Sequence, residues 1–189
     1  MSSLADPAEV TAAGYIADMG LVQELAYEIP RPNALQRAVW RVTSSKPGAW
    51  VFARTSHHID LFLLKVSGGR WTAARLLAGI PVITLVTTGA RSGLRRSTPL
   101  LGVPMGDDLA IIGTRFGQHG TPGWYFNLRK QPSAEVVCNN RTVTAEAREA
   151  EGGEWQEAWD RARQMYSGYD AYARRITDRK IHIMVLSSP

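Results

Sequence analysis

The sequence has one cysteine, no long apolar run and none of the short motifs of the common catalytic folds. Each absence narrows what the chain can be. Its 189 residues hold only Cys138, so no internal disulfide can form, which suits a reducing cytosol. Cys138 closes the apolar run Val136-Val137-Cys138 and reads as a strand thiol rather than a nucleophile. No apolar stretch approaches the roughly 20 residues of a transmembrane helix. Met1 to Val10 carry Asp6 and Glu9 and no basic residue, so a secretory leader is not expected. The histidines form no metal-ligand pattern: His57 and His58 are adjacent, while His119 and His182 have no partner at ligand spacing. A G-x-S-x-G elbow, a Walker loop and a G-x-G-x-x-G fingerprint are all missing, which leaves hydrolase, kinase and nicotinamide-dehydrogenase readings without support. No internal repeat or low-complexity segment is present.

Positive charge is also missing where the chain begins. Residues 1–30 hold five acidic and no basic residues, a net −5, whereas residues 31–80 hold eight basic residues against Asp60, a net +7. The whole chain carries +5. A basic segment with Trp40, Trp50 and Trp71 fits either a solvated face or peripheral contact with an anionic membrane. No nucleic-acid module accompanies it, so nucleic acid is not an expected partner.

The pattern divides the chain near residue 80. Residues 1–79 read as a helical extension. Asp6-Pro7 is good helix-start chemistry and predicts a helix to about Tyr27. Further helices are predicted over 34–42, 59–66 and 71–77, broken by Lys46-Pro47-Gly48, Gly68-Gly69 and Pro81. Residues 80–189 turn to β: strands are predicted at 82–88, 96–103, 109–115, 134–138, 142–149 and 181–187. Asp107-Asp108 and Asn139-Asn140 are expected at hairpin turns. Helices are predicted over 124–130, 154–166 and 170–177. Many short strands with few βαβ units point to an α+β fold, a small antiparallel barrel with inserted helices.

Two stretches carry candidate chemistry. Thr87-Thr88-Gly89-Ala90-Arg91-Ser92-Gly93-Leu94-Arg95-Arg96-Ser97-Thr98-Pro99 reads as strand, tight turn, strand. Its glycines bring main-chain N–H groups near a ligand, and its guanidinium forks suit phosphate or carboxylate. A surface hairpin facing water is the other reading. Gly113-Thr114-Arg115 opens a glycine-rich loop that runs into Trp124-Tyr125-Phe126-Asn127-Leu128, and a helix start suits an anion. Trp124 could stack on a flat ring or pack the core. Tyr166, Tyr169 and Tyr172 recur every three residues, as pocket walls or as packing against the barrel.

Taken in order, Leu85 to Gly93, Arg96, Pro99-Leu100, Thr114-Arg115, Pro122 to Leu128, and Met165-Tyr166 with Tyr169 and Tyr172 resemble the deazaflavin-dependent nitroreductase and quinone reductase family. The resemblance covers residues 80–189. It implies a split β-barrel and the coenzyme F420, an 8-hydroxy-5-deazaflavin. It also implies an oxidoreductase that passes a hydride to a quinone, a nitro compound or another activated planar acceptor. By this resemblance Ala90, Arg91, Ser92 and Arg96, with the chain from Ser97 and Thr98 through Pro99, Leu100 and Leu101, hold the coenzyme's phosphate and acidic tail. Ile112, Gly113, Thr114 and Arg115 lie beside the ring, and Gly123, Trp124, Tyr125, Phe126 and Asn127 follow ring and ribityl chain. Tyr166, Tyr169 and Tyr172 wall the acceptor pocket. The family often has lysine where Arg91 and Arg115 stand and serine where Thr114 stands, so charge and hydroxyl are kept. Hydride transfer asks the protein for position and dryness rather than a nucleophile, with a Thr114 or Tyr169 hydroxyl to polarise the acceptor or relay a proton. An FMN-binding split-barrel oxidoreductase and a non-enzymatic coenzyme carrier are the alternatives.

Overall fold

Burial alternates along Val82–Thr88, with Ile83, Leu85 and Thr87 the buried set. That period-2 pattern makes β1 a strand with one face on the core. The computed structural model of the chain describes residues 20–28 and 82–189. The helices expected over 34–42, 59–66 and 71–77, and the basic segment with its three tryptophans, lie outside the described residues. β1 is followed by β2 (Arg95–Met105), β3 (Asp108–Ile112), β4 (Ser133–Cys138), β5 (Arg141–Glu149) and β6 (Ile183–Ser187). All neighbours pair antiparallel and close a six-stranded barrel in the order β1-β2-β3-β6-β5-β4.

Two long strands let so small a sheet close. β2 pairs β1 from Arg95 to Leu101 and β3 from Gly102 to Met105, passing from one neighbour to the other at Gly102. β5 serves β4 and β6 in the same way, changing partner at Glu146. β3 and β6 are continuous apolar runs because both their faces are covered. Inside the barrel lie Leu109, Ile111, Met184 and Leu186 with Ile83, Leu85 and Val136. On the outer face, Ala110, Ile112, Ile183 and Val185 meet α3 (Gly152–Met165) and α4 (Gly168–Ala173).

Each end of the barrel is stopped by a helix. At the end of the β2–β3 and β4–β5 turns sits α1 (Leu21–Glu24), and Leu21, Leu25 and Tyr27 reach the interior core. Residues 20–28 are thus integral to the barrel core. At the opposite end α2 (Gly123–Lys130) inserts Trp124, Tyr125 and Leu128. Fully burying such side chains contributes about 1.5–3 kcal/mol each.

The strand and helix register agrees with the pattern within two or three residues at most boundaries, and three of four departures have a physical cause in the structure. The helix expected to run unbroken to Tyr27 does not pass through Gly20, which is extended (φ −68°, ψ 161°) and lies against Asp107. The β2–β3 turn is Gly106-Asp107 rather than Asp107-Asp108, because Gly106 takes the positive φ of 73°. At Asn139-Asn140 the expectation holds, with φ of 50° and 62°. β3 stops at Ile112, before Thr114 and Arg115, because the chain turns left-handed there. The last helix spans Gly168–Ala173, shorter than 170–177 suggested at its C-terminal side.

Candidate functional site

The arginine-bearing turn between β1 and β2 is held from beneath. Gly89 N–H donates to Leu94 O at 2.8 Å and Gly93, at φ 67°, donates to Gly89 O at 2.8 Å. Asn127 on α2 receives the Ala90 N–H at 2.8 Å on Oδ1 and donates from Nδ2 to Thr87 Oγ1 at 2.9 Å. Lys130 donates to Ala90 O at 2.6 Å. The turn and the start of α2, thirty-seven residues apart in sequence, are therefore one unit. Arg95 is committed to Glu135 by two hydrogen bonds of 3.0 and 2.7 Å. Arg91 and Arg96 are exposed and, among the described residues, have no carboxylate partner. Ser92, Ser97 and Pro99 are also exposed, and Thr98, Leu100 and Leu101 are half-buried.

The second component follows β3. Gly113 donates to His182 O at 2.8 Å and leaves no room there for a Cβ, which would come 2.8 Å from that oxygen. Thr114 is buried and right-handed (φ −80°, ψ −24°). Arg115, Phe116 and Gly117 then take positive φ of 48°, 56° and 76°. For the two non-glycine residues this conformation costs on the order of 1–3 kcal/mol each and persists only where the surroundings enforce it. Arg179 does so. Its Nη1 donates to Gly113 O at 2.9 Å and Lys180 O at 3.1 Å, and its Nη2 to Thr114 O at 3.1 Å and Gln118 O at 3.4 Å. Its Nε is buried without a partner. Burial, with the nearby Arg115 charge, holds its pKa below the ordinary arginine value despite Asp178, though a guanidinium so shifted stays charged. Arg115 donates to His119 O at 3.0 Å.

α2 divides the residues expected along ring and ribityl chain. Trp124 and Tyr125 are buried in the barrel mouth, whereas Phe126 is 53% exposed. Packing accounts for the first two, not for Phe126. Tyr125 stacks on His182 at 4.0 Å between centroids and donates to Glu149 at 3.0 Å. Glu149 also accepts from Arg129 at 2.8 Å and meets His182 Nδ1 at 2.7 Å. Burial alone would raise this carboxyl, but the bonds from His182, Arg129 and Tyr125 bring its pKa below the usual value.

Tyr166, Tyr169 and Tyr172 lie together on the outer face, buried with Trp159 and Ile112. The Tyr166 and Tyr172 hydroxyls are 3.1 Å apart, and the Tyr169 ring lies 5.9 and 6.3 Å from the other two. Burial pushes the Tyr169 and Tyr172 phenols well up, so both stay neutral. Phe116 joins this cluster to the left-handed turn, its ring edge-on to Tyr172 at 5.9 Å. The arginine turn, α2, the Thr114 turn and the tyrosines are thus neighbours around one end of the barrel. Arg179 and the Glu149–His182 pair, which sequence reasoning did not single out, join them. Nothing local marks Arg179 within its basic run, because its partners lie about sixty-five residues upstream.

Fold and connectivity define a split β-barrel with a helix at each end. The chain belongs to the F420H2-dependent quinone reductase family, whose model matches residues 54–188. Among curated relatives, the F420H(2)-dependent quinone reductase Rv1261c of Mycobacterium tuberculosis is 29% identical over 116 residues, 60% of this chain and 77% of that protein. The putative F420H(2)-dependent quinone reductase Rv3178 of the same organism is 24% identical over 107 residues, 57% of this chain and 89% of that one. A solved structure of an F420-H2 dependent reductase, FDR-A, is 33% identical, covers 56% of this chain and 93% of its own, and superposes with a TM-score of 0.51. Another, described as a domain-swapped dimer, is 29% identical with a TM-score of 0.53, over 75% of this chain and 99% of that one. None of these names points to FMN.

Proposed function

We propose that the chain transfers a hydride from reduced coenzyme F420 to a quinone. The observation that carries the reading is the arginine turn. Arg91 and Arg96 stand exposed on a backbone that Asn127 and Lys130 hold rigid, at the same end of the barrel as the Thr114 turn. Positive forks with no carboxylate partner among the described residues fit a phosphodiester followed by carboxylates. When bound, the coenzyme would supply two electrons and one proton as hydride, and the quinone takes one further proton to become the hydroquinone.

The chain's residues do the rest. Arg91, Ser92 and Arg96 hold the tail, and Ala90 with the strand from Ser97 to Leu101 gives it a surface. Ile112 to Arg115 and Gly123 to Asn127 border the ring. Tyr166, Tyr169 and Tyr172 wall the acceptor side and exclude water, and burial keeps the Tyr169 and Tyr172 phenols neutral. Thr114 or Tyr169 polarises the acceptor oxygen. A quinone is the acceptor we favour, and a nitro compound of similar flatness would make the same contacts.

Oxidation of the reduced coenzyme in the presence of menadione, followed by the return of deazaflavin absorbance, tests the activity. Coenzyme binding without turnover would favour a carrier. Tyr169→Ala should lower turnover and raise the acceptor KM while leaving coenzyme affinity nearly unchanged. If Tyr169 only packs, its loss will lower stability and leave the kinetics per folded molecule intact.

A further inference from the structure

The turn from Gly113 to Gln118 carries two consecutive non-glycine residues, Arg115 and Phe116, left-handed beside a buried threonine; the other such pair among the described residues, Asn139-Asn140, consists of residues that tolerate this conformation. Thr114 right-handed followed by Arg115 left-handed is the backbone arrangement that points successive N–H groups into one concavity. Within it, Thr114 N–H is used by Ile112 O at 3.0 Å. The Arg115 N–H donates to no backbone carbonyl among the described residues.

We propose that Arg179 is a positioning residue that holds this turn left-handed and so keeps the Arg115 N–H and the Thr114 hydroxyl presented to an electron-rich oxygen of the bound ring. The inference rests on the hydride-transfer reading for the identity of the ligand, but not for the role of Arg179 in the turn. Its fork accepts no substitute of one point charge: Nη1 and Nη2 together engage Gly113 O and Thr114 O on one side of the bend and Gln118 O on the other. Those carbonyls would repel each other if left unpaired at such closeness. The bond to Thr114 O has a second consequence. It polarises the peptide unit shared by Thr114 and Arg115, which makes the Arg115 N–H a stronger donor, with a positive charge fixed behind it. Phe116, carried on the same turn, meets Tyr172, so a turn that relaxes also shifts the contact with the tyrosine cluster. Gly117 leaves no slack, since an added Cβ would lie 3.0 Å from Arg175 Cδ and 3.2 Å from Tyr172 Cα.

Three variants of the full chain test this, Arg179→Gln, Arg179→Lys and Arg179→Ala. Amide hydrogen exchange over residues 113–118 is read first, without coenzyme: in Arg179→Gln these amides should exchange at least about tenfold faster while β1 and β6 keep their protection. Unchanged exchange there overturns the proposal whatever the chain's activity. Coenzyme binding and single-turnover hydride transfer are read next, per folded molecule. The transfer step in Arg179→Gln should slow about 10- to 100-fold, the scale expected of a small misplacement at a reacting centre. Coenzyme affinity, which this reading anchors at Arg91 and Arg96 rather than at the Thr114 turn, should fall only a few-fold. Arg179→Lys should lie between, and ethylguanidinium added to Arg179→Ala should restore part of the rate. If Arg179→Gln does not fold, the same criteria are applied to Arg179→Lys. Transfer within twofold of the parent in a folded variant, or no response to ethylguanidinium, overturns the proposal. A parent chain that does not oxidise the reduced coenzyme defeats the functional reading alone, and the exchange experiment still decides the role of Arg179.

Discussion

The two ends of the barrel are built alike and finished differently. Both are stopped by a helix that drops apolar side chains into one interior core, Leu21 of α1 from one side and Trp124, Tyr125 and Leu128 of α2 from the other. At the α1 end the polar groups are paired within the protein. Tyr27 donates to Gly102 O at 2.5 Å, Val22 N–H to Asp107 O at 3.1 Å, Asn139 to Ala26 O at 2.8 Å and Arg141 to Glu24 O at 2.9 Å. Its charges are mainly acidic, from Glu24, Glu28, Asp107 and Asp108. The α2 end is basic, with Arg91, Arg95, Arg96, Arg115, Arg129 and Lys130. It exposes Leu94, Phe116 and Phe126, and both ends bend non-glycine residues left-handed, Ala26, Asn139 and Asn140 at the α1 end and Arg115 and Phe116 here. Both ends pair most of their polar groups internally; what sets the α2 end apart is the exposed Arg91 and Arg96, without a carboxylate partner among the described residues, beside exposed apolar side chains.

The comparison breaks if the α1 end proves functional, and the largest expected effect tests this. Leu25 is fully buried in the interior core, so Leu25→Ala should lower stability by about 2–5 kcal/mol. Coenzyme affinity per folded molecule should not change. Denaturant unfolding and coenzyme titration of the same sample check both halves of the statement.

At the other end the effects should be reversed. Arg96→Ala removes an exposed fork with no described partner, so stability should stay within about 0.5 kcal/mol of the parent. Coenzyme binding should weaken by about 1.5–3 kcal/mol for one lost charge-assisted contact, and Arg91→Ala should behave similarly. Unchanged affinity in folded Arg96→Ala would remove the anionic tail from this turn.

The same contrast explains what could be read from the sequence. Strand β1 was legible to the residue because the apolar run from Ile80 to Val86 leads straight into the Gly89 turn, and run and turn are both local properties. Asn139-Asn140 was legible because the residues themselves tolerate positive φ. The basic turn was visible as composition, and its family resemblance supplied the ligand. What escaped depends on long-range contacts. No pattern near Arg115 and Phe116 announces a left-handed bend, because the carbonyls that favour it are satisfied by Arg179. The Asp6-Pro7 start chemistry suggested one helix to about Tyr27, whereas Gly20, extended and lying against Asp107, makes Leu21 the first residue of a short plug helix.

The smallest effect concerns the polar network that supports α2 from below. The Glu149 carboxylate is met by His182, Arg129 and Tyr125, the titratable groups that face it from β6 and α2. Its folded-state pKa lies below the ordinary value, lowered by those three partners against the opposing effect of burial. A depressed carboxylate contributes stability that is fully present above the unfolded pKa, about 4.3 for glutamate. That contribution is lost as pH falls from there through the folded-state value. Glu149→Gln can still accept from Tyr125 or Arg129 and donate to His182, so at neutral pH it should cost only about 1 kcal/mol. The two proteins should therefore converge in stability as the solution is acidified below pH about 4, since Glu154 and Asp178, also depressed, are common to both. Urea unfolding at a series of pH values measures the gap directly. A gap that stays constant into acid would show that Glu149 acts by packing alone. A coenzyme affinity that fell as steeply as in Arg96→Ala would place Glu149 among the ligand's own contacts and blur the line between support and site at this end.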